Sequence, residues 1–403
     1  MSKLRSDQIE AKHHLLDTPG RILMKKALLF ILQPFLSPAT HLLRRLLATL
    51  VNWESYQAYG RKINGLLHEQ PELHREVRGN ASYKREAQEF IQEQLHSRSD
   101  VRWHLFYAGA TGKLEPHFIP EDFFYGYLEK QLNDPLLASF FSDKNLYDYL
   151  FADCKRPQTI LRRIGGQLCD VDYLPVEMSA ARQRLLMSGE SEVVYKPARQ
   201  TGGKGVIVDS PEIIVAHLSR QDDWIIQTKV DQVDCLSKAY GHSVNTIRCM
   251  TVHLDDGPKM ISAVLRMGSG NSRVDNLSSG GVCAGITPQG RLQATARDRY
   301  GTQHATHPDT HVAFNSVVIP QFSKVISFCT DRHARLPFLK LISWDVAIDR
   351  AENVVLIEVN VQEQGINLHQ MANGPLFGDL TPAVLATWSD RLQTRASGRG
   401  RTR

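Results

Sequence analysis

The sequence contains no CxxC motif and has only six cysteines in 403 residues. The cysteines lie far apart, at Cys154, Cys169, Cys235, Cys249, Cys283 and Cys329. A zinc ribbon or a redox pair needs closely spaced thiols, so neither is indicated. Scattered thiols in a long chain are typical of a reducing compartment, and we expect a cytoplasmic protein.

The sequence also lacks a long uncharged apolar run. The longest stretch without Lys, Arg, Asp or Glu is the seventeen residues from Ala27 to Leu43, and it contains Pro34 and Pro38. A membrane-spanning helix needs about 20 mostly apolar residues, so none is predicted. The twenty-six mixed-charge residues before this stretch also argue against a signal peptide.

Acidic residues are absent from the last thirteen positions, which hold five arginines. Residues 1–390 therefore carry 43 basic and 43 acidic side chains, and the pI of about 8.8 reflects the tail. Nucleic-acid binding by the body of the protein is not expected from this balance. Residues 386–403 are predicted to be a basic disordered tail.

The first 140 residues are predicted to be mainly helical, as an N-terminal extension over 1–60 and a further region over 61–140. Within 22–51, an apolar stripe recurs at helical spacing and suits either the protein's own core or a membrane surface. We favour packing on the core, because an amphipathic pattern alone usually has that meaning. The stripe consists of Leu42, Leu43, Leu46, Leu47, Leu50 and Val51.

From about residue 141 the pattern changes to short β-rich runs separated by Gly, Asp and Asn. Seven strands are predicted from this pattern. They are Glu192–Tyr195, Val206–Val208, Trp224–Gln227, Ile247–His253, Lys259–Arg266, Leu341–Ile348 and Val354–Val359.

A lysine closes one of these strands, in Val193–Pro197, and a glycine-rich segment follows at Gly202–Val206. Lys196 places a cation at a strand end, and a Gly-Gly-x-Gly turn allows backbone N–H groups to approach an anion. The spacing matches neither GxxxxGK[ST] nor GxGxxG. By itself this pattern fits a glycine hairpin equally well.

Three polar residues occur on two apolar strands near the C-terminus. Asp345 lies within Trp344–Ile348, and Glu358 and Asn360 project from one face of Leu356–Asn360. If the two strands pair, three oxygen donors converge, and Mg²⁺ prefers such hard ligands. The alternative is exposed polar residues on half-buried strands, but the apolar neighbours favour a metal site.

Two arginines lie near the ends of neighbouring predicted strands, Arg248 at the end of the segment Ser243–Arg248 and Arg266 where it closes the next strand in Ala263–Gly268. Guanidinium groups over a cleft suit phosphate or carboxylate, which they bind with two parallel hydrogen bonds. A surface ion pair explains each arginine about as well.

In their order and spacing, these segments resemble the ATP-grasp superfamily, and more closely its sugar-transfer-associated family. The resemblance covers roughly residues 141–380. The matching segments are Ser142–Lys144, Tyr195–Pro197, Gly202–Val206, Ile225–Gln227, Ser243–Arg248, Val274–Asn276, Gly280–Gly281, His307–Pro308, Ile319–Pro320, Trp344–Asp345 and Leu356–Asn360.

The resemblance implies an ATP site between two subdomains. The two lysines would hold the α- and β-phosphates, the glycine-rich loop would close over the triphosphate, and the hinge backbone at 227–230 would read the adenine. The residues expected at the nucleotide are Lys144, Lys196, Gly202, Gly203, Lys204, Gly205, Gln227, Thr228, Lys229 and Val230.

The resemblance also implies roles at the reacting end of the site. Asp345, Glu358 and Asn360 would bind one or two Mg²⁺ ions. Arg248 and Arg266 would stabilise the γ-phosphate during transfer, and Asn276 would lie beside an acyl phosphate.

The sequence departs from the family pattern at the hinge, where Thr228 replaces the usual Glu, and no single acid is fixed for the ribose. Asp231 and Asp234 compete for that role, and Asp234 is included among the expected nucleotide contacts.

The fold implied by the resemblance is α+β, with subdomains over 141–230 and 231–385 gripping ATP behind a helical N-terminal extension. The implied activity is that of a carboxylate–amine ligase, acting through an acyl phosphate on small-molecule or glycan substrates in polysaccharide or related secondary-metabolite synthesis. A phosphotransferase with a hydroxyl acceptor and a non-catalytic nucleotide-binding module stay open as alternatives.

Overall fold

The computed structural model describes residues 57–387 of the chain. The apolar stripe at 42–51 and the arginine-rich tail therefore lie outside the described residues. Between residues 57 and 387, no helix is both long and apolar enough to cross a membrane.

The N-terminal part of the described chain, up to Leu150, is helical. It starts with a helix over residues 57–69. The following α-helices are Arg75–Gly79, Ala81–Glu89, Arg102–Thr111, Glu121–Phe123, Glu129–Leu132, Pro135–Phe141 and Tyr147–Leu150. Single π-helical turns, Phe90–Gln94 and Phe124–Leu128, extend two of them.

The helix Pro135–Phe141 illustrates how the sequence sets these boundaries. Asp134 precedes it, and its Oδ1 accepts the N–H of Leu136 at 2.9 Å. Proline at the first helical position has no N–H to leave unsatisfied, and its φ suits the first turn. Such a carboxylate cap stabilises a helix by about 1 kcal/mol.

The first sheet has five antiparallel strands in the order β2-β1-β5-β3-β4. Its strands are β1 Thr159–Ile164, β2 Gln167–Cys169, β3 Val193–Pro197, β4 Ile207–Asp209 and β5 Trp224–Thr228. The helices Met178–Leu186 and Pro211–Ile214 accompany it. All of these elements lie between residues 141 and 230.

The second sheet has seven antiparallel strands in the order β10-β9-β8-β7-β6-β11-β12. Its strands are β6 Thr246–Leu254, β7 Gly257–Met267, β8 Val282–Ile286, β9 Leu292–Arg297, β10 Gln303–His304, β11 Leu341–Ile348 and β12 Val354–Asn360. The helices in this part are Asp234–Ala239, Phe322–Ala334 and Ile366–Asn373, and the described chain ends in a helix over residues 381–387. The predicted α+β architecture with a helical N-terminal region is confirmed.

The first sheet has its own hydrophobic core. The buried residues of this cluster all lie between Leu161 and Ile226, and Trp224 and Tyr195 are the largest of them. The three other buried clusters join the helical region to the second sheet and its helices. Apolar burial thus separates the chain into a small unit and a large one.

Polar contacts also fasten the helical region to the second sheet. Asn133 donates from Nδ2 to the carbonyl oxygens of Leu341 at 2.6 Å and Val361 at 2.9 Å. The Gln370 side chain exchanges two hydrogen bonds with the backbone of Ile119, at 2.8 and 2.9 Å. Buried amides paired in this way fix the packing, because breaking one leaves an unsatisfied polar group.

Glu129 is a buried carboxyl between these two parts, and its Oε1 accepts the N–H of Gln364 at 3.3 Å. Burial raises the pKa of Glu129 from 4.5 to about 8. The folded state keeps this proton across that window while the unfolded chain releases it, so stability falls as the pH rises from about 4.5 to 8.

We expect Glu129→Gln to remove this fall in the free energy of unfolding between pH 4.5 and 8, which is on the order of 3–5 kcal/mol. Urea unfolding of the wild type and the variant at several pH values would give the difference. Glu89→Gln is the matched control, since Glu89 is exposed at the end of a nearby helix. Parallel stability–pH curves for wild type and Glu129→Gln would contradict the expectation.

Candidate functional site

A cavity of about 130 Å³ lies between the two sheets and collects side chains from both. β3 and the segment after it contribute from the first sheet, and β6, β7, β11 and β12 contribute from the second. Its charged lining residues are Lys144, Lys196, Lys229, Arg248, Arg266, Arg273, Asp275, Asp345 and Glu358. Six basic and three acidic side chains leave a formal charge of +3, which suits a polyanion.

The two predicted lysines meet in this cavity although they are far apart in sequence. Lys144 is held by its N–H, which donates to Ala198 O at 3.0 Å, and its Nζ pairs with Glu358 Oε1 at 2.8 Å. Lys196 Nζ donates to Gln227 Oε1 at 3.2 Å. Burial, and then the ammonium of Lys144, lower the pKa of Lys196 from 10.5 to about 8.

Asp345 binds both predicted arginines. Arg248 donates from Nε and Nη2 to its two oxygens at 2.7 and 2.6 Å, and Arg266 donates from Nη1 to Oδ2 at 3.2 Å. Strand register sets this arrangement, since Asp345 lies opposite Arg248 in the β6–β11 pair. Arg248, Arg266 and Asp345 do not form surface ion pairs, because all three side chains are largely buried.

These contacts stabilise the charged forms. Burial by itself raises the pKa of Asp345, but Arg248 and Arg266 outweigh it and lower the pKa below its usual value. Burial alone would lower the pKa of Arg266, and the carboxylates of Asp275 and Asp345 instead raise it. Asp345 and Arg266 are therefore both charged at neutral pH.

The three predicted metal ligands share one face of neighbouring strands. Asp345 lies opposite Glu358 in the β11–β12 pair, and Asn360 Nδ2 lies 3.5 Å from Asp345 Oδ2. An ionised carboxylate has about four acceptor positions, and the arginines take three of those on Asp345. Two carboxylates and an amide oxygen fit Mg²⁺, so these residues could hold it.

The glycine-rich loop contacts the segment that contains Asn276. Gly203 has φ of +71°, and a Cβ at this position would lie 2.0 Å from Asn276 Oδ1. Glycine is therefore required here for both its backbone conformation and the close approach. The loop and the predicted acyl-phosphate residue thus form one wall of the cavity.

The hinge is fixed at Thr228. Its N–H donates to Gln158 O at 2.9 Å, and its Oγ1 accepts the N–H of Gln158 at 3.0 Å. The Thr228 hydroxyl is thus engaged with the neighbouring backbone. Lys229 also lines the cavity, and its Nζ pairs with Glu192 at 2.6 Å.

Some predicted site residues do not line the cavity. Lys204 and Gly205 are exposed, Gln227 contacts the lining residue Lys196, and Asn360 contacts the lining residue Asp345. Asp234 begins an α-helix and is exposed, away from the lining.

Asp231, the other acid considered for the ribose, is exposed outside the cavity lining. Its Oδ2 pairs with Arg350 Nε at 2.9 Å. The remaining predicted residues, namely Lys144, Lys196, Gly202, Gly203, Thr228, Lys229, Val230, Arg248, Arg266, Asn276, Asp345 and Glu358, line the cavity together.

The cavity is also lined by polar residues for which no role was predicted. Asp275 contacts Arg266, and Arg273 contacts Glu192, which the hinge residue Lys229 also binds. Asp275 directly precedes Asn276 in a matched segment, and that adjacency was the available signal. The Arg273 contact joins segments about eighty residues apart, and the local pattern around either residue does not indicate it.

Comparisons with known proteins give one family match. The family model described as sugar-transfer associated ATP-grasp matches residues 213–381. This segment contains both arginines, Asn276 and all three predicted metal ligands. A search of curated proteins found no significant match.

Several solved structures are similar to the chain at low identity. They include an ATP-grasp ligase, PsnB, complexed with a minimal precursor, at 15% identity, covering 64% of each chain, with a TM-score of 0.38. A D-alanine-D-alanine ligase from Coxiella burnetii matches at 8% identity, covering 65% of this chain and 63% of its own, with a TM-score of 0.36. The D-cycloserine synthetase DcsG matches at 15% identity, covering 65% and 73%, with a TM-score of 0.37. The chain thus spans slightly less than two thirds of PsnB.

Proposed function

Since the chain is a member of the ATP-grasp superfamily, we propose that it is an ATP-dependent carboxylate–amine ligase that forms an amide through an acyl phosphate. The observation that carries this proposal is the electropositive cavity between the sheets, with carboxylates at one end. A net charge of +3 matches a nucleotide triphosphate, and the carboxylates match the metal that accompanies it.

Different residues of the cavity have different proposed roles. Lys144 and Lys196 would bind phosphate oxygens as point charges, and the backbone of Gly202–Gly203 would approach the same phosphates. Hinge backbone at 228–230 would hold the base. Asp345, Glu358 and Asn360 would hold Mg²⁺, which supplies charge neutralisation at the β- and γ-phosphates when bound.

The chemistry requires little covalent participation from the protein. An oxygen of the substrate carboxylate attacks the γ-phosphorus, the bond to the β-phosphate oxygen breaks, and ADP leaves. The amine then attacks the acyl carbon, loses a proton and displaces phosphate, which leaves the amide. Arg248 and Arg266 would stabilise the negative charge that develops on the transferred group, because their donors are fixed in place beforehand.

The acceptors we propose are small-molecule or glycan carboxylates and amines. The matched family is described as sugar-transfer associated, which supports a glycan or a sugar–amino-acid product. The hinge and the lysines are proposed to bind the nucleotide, so they do not indicate which acceptor is used. The substrate test must therefore distinguish acceptor classes.

The test is a panel of carboxylates, with and without amines, scored for ADP release and for products by mass spectrometry. Hydroxylamine should convert an acyl phosphate into a hydroxamate in an amount equal to the ADP released. Glu358→Gln serves as the matched inactive variant, since it removes one proposed metal ligand without changing side-chain size.

The outcomes separate the candidate reactions. Amide and phosphate in equal amounts support the ligase. A stable phosphorylated product from a hydroxyl acceptor would replace the ligase by a phosphotransferase. Failure to bind MgATP at all would overturn the nucleotide site itself.

A further inference from the structure

Four charged side chains form an alternating chain along the cavity wall, in the order Arg248, Asp345, Arg266 and Asp275. Arg266 links the two carboxylates, donating from Nη1 to Asp345 and from Nη2 to Asp275 Oδ1. All four side chains are at most 11% exposed, and all four line the cavity. Arg248, Arg266 and Asp345 alone carry a net charge of one positive unit, and Asp275 brings the charge of the four to zero.

Asp275 has a second anchor on the backbone. Its Oδ2 accepts the N–H of Thr246 at 3.2 Å, and Thr246 lies opposite Arg266 in the β6–β7 pair. The carboxylate therefore ties the guanidinium to the start of β6. A charge-assisted hydrogen bond in a buried site holds its partner in a narrow range of positions.

Without Asp275, Arg266 would depend on Asp345, which Arg248 already engages through both oxygens. Arg248 lies 2.6 Å from Asp345 Oδ2, whereas Arg266 lies 3.2 Å from the same atom. Arg266 would then be the weaker of two competing cations at one carboxylate. Of the five N–H donors of the Arg266 guanidinium, Nε is buried without a partner among the described residues, and Nη1 and Nη2 each keep one N–H beyond those given to Asp345 and Asp275.

We propose that Asp275 is a positioning residue that holds the Arg266 guanidinium apart from Arg248 and directs its remaining donors at the γ-phosphate. This inference rests on the proposed function, in which both arginines act on that phosphate. Asn276 is the next residue after Asp275, and Gly203 of the glycine-rich loop packs against it.

The first test is the turnover of Asp275→Asn with a carboxylate and an amine that the substrate panel identifies. We expect kcat to fall by about 10–100-fold, the loss typical of a group misplaced by about 1 Å, with KM for ATP raised by no more than about tenfold. Asp309→Asn is the matched control, because Asp309 accepts the N–H of Gly270 at 2.8 Å in the same loop. This control should keep kcat, since Asp309 anchors the loop away from Arg266.

A double-mutant cycle then asks whether Asp275 acts through Arg266. We expect the double variant Asp275→Asn with Arg266→Lys to lose no more kcat than Arg266→Lys alone. Residues that act as one unit show such non-additivity, and a merely structural contribution would add to the loss. Additive losses would overturn the inference while leaving the proposed function intact.

A binding test works even if turnover is absent, in which case only the ligase proposal fails. Calorimetry with β,γ-imido-ATP and with ADP, both with Mg²⁺, gives the affinity ratio due to the γ-phosphate. We expect Asp275→Asn to lower this ratio by roughly three- to tenfold and to leave adenosine binding unchanged. Asp275→Glu, which keeps the charge but shifts the carboxylate, should lower it as well. An unchanged ratio in both variants would overturn the role of Asp275.

Discussion

Replacing Asp345 by alanine should lower the free energy of unfolding by about 3–5 kcal/mol, because it leaves two buried arginines without their shared carboxylate. Arg248 loses two hydrogen bonds at 2.6 and 2.7 Å, and Arg266 loses one at 3.2 Å. An uncompensated buried charge costs more than the pair contributed, so the loss should exceed that of a typical core polar change.

Chemical denaturation measures this effect, and Glu358→Gln provides the comparison. Glu358 pairs with Lys144 and is 20% exposed, so its loss should cost only about 1 kcal/mol. Both variants should lose at least about tenfold in turnover, since each removes a proposed metal ligand. Equal stability of the two variants would show that the arginines do not depend on Asp345.

Lys196→Ala should weaken ATP binding by about 1.5–3 kcal/mol, the range for a hydrogen bond to a charged group. Adenosine binding should hardly change, because the base is proposed to bind the hinge backbone at 228–230 and Lys196 meets the hinge only at the Gln227 side chain. Calorimetry with both ligands tests the difference. Lys113→Ala, at an exposed lysine of the helical region, is the control for loss of positive charge alone. Equal losses for ATP and adenosine would make Lys196 a structural residue.

The same lysine predicts a pH dependence. With its pKa lowered to about 8, Lys196 loses its charge as the pH rises through 8 in the free protein. Phosphate binding favours the ammonium, so ATP affinity in the wild type should decline above about pH 8. Lys196→Ala should lack this decline, and adenosine affinity should stay level in both proteins.

Strand positions on the second sheet could be predicted closely where apolar residues run without interruption. The predicted Leu341–Ile348 matches β11 as observed, and Val354–Val359 differs from β12 by one residue. β1 was missed because Arg162 and Arg163 interrupt its apolar pattern. Arg162 is fully buried, and its charge is offset by Asp148 at 2.6 Å and by the carbonyl of Asn145 at 2.9 Å.

The sequence indicated the chemical types at the candidate site but not their pairing. Arg248 and Asp345 were assigned separately, one to phosphate and one to metal, whereas strand register places them opposite one another. Residues about a hundred positions apart become partners only through the order of strands in the sheet. Asp234, one of the two acids considered for the ribose, is exposed and does not line the cavity.

The separate core of the first sheet has a mechanical consequence. Its elements run from β1 to β5, and the chain enters and leaves this unit at Gln158 and Thr228, which share two hydrogen bonds. The chain thus enters and leaves this unit at one place, while residues 143–148 and Arg273 hold the unit to the larger body by polar contacts. A rotation of the unit about Gln158 and Thr228 would break those polar contacts but stretch no other covalent link, and it would change the width of the cavity. Lys196 and the glycine-rich loop would move with the unit, while Arg248, Arg266 and Asp345 would stay on the larger body.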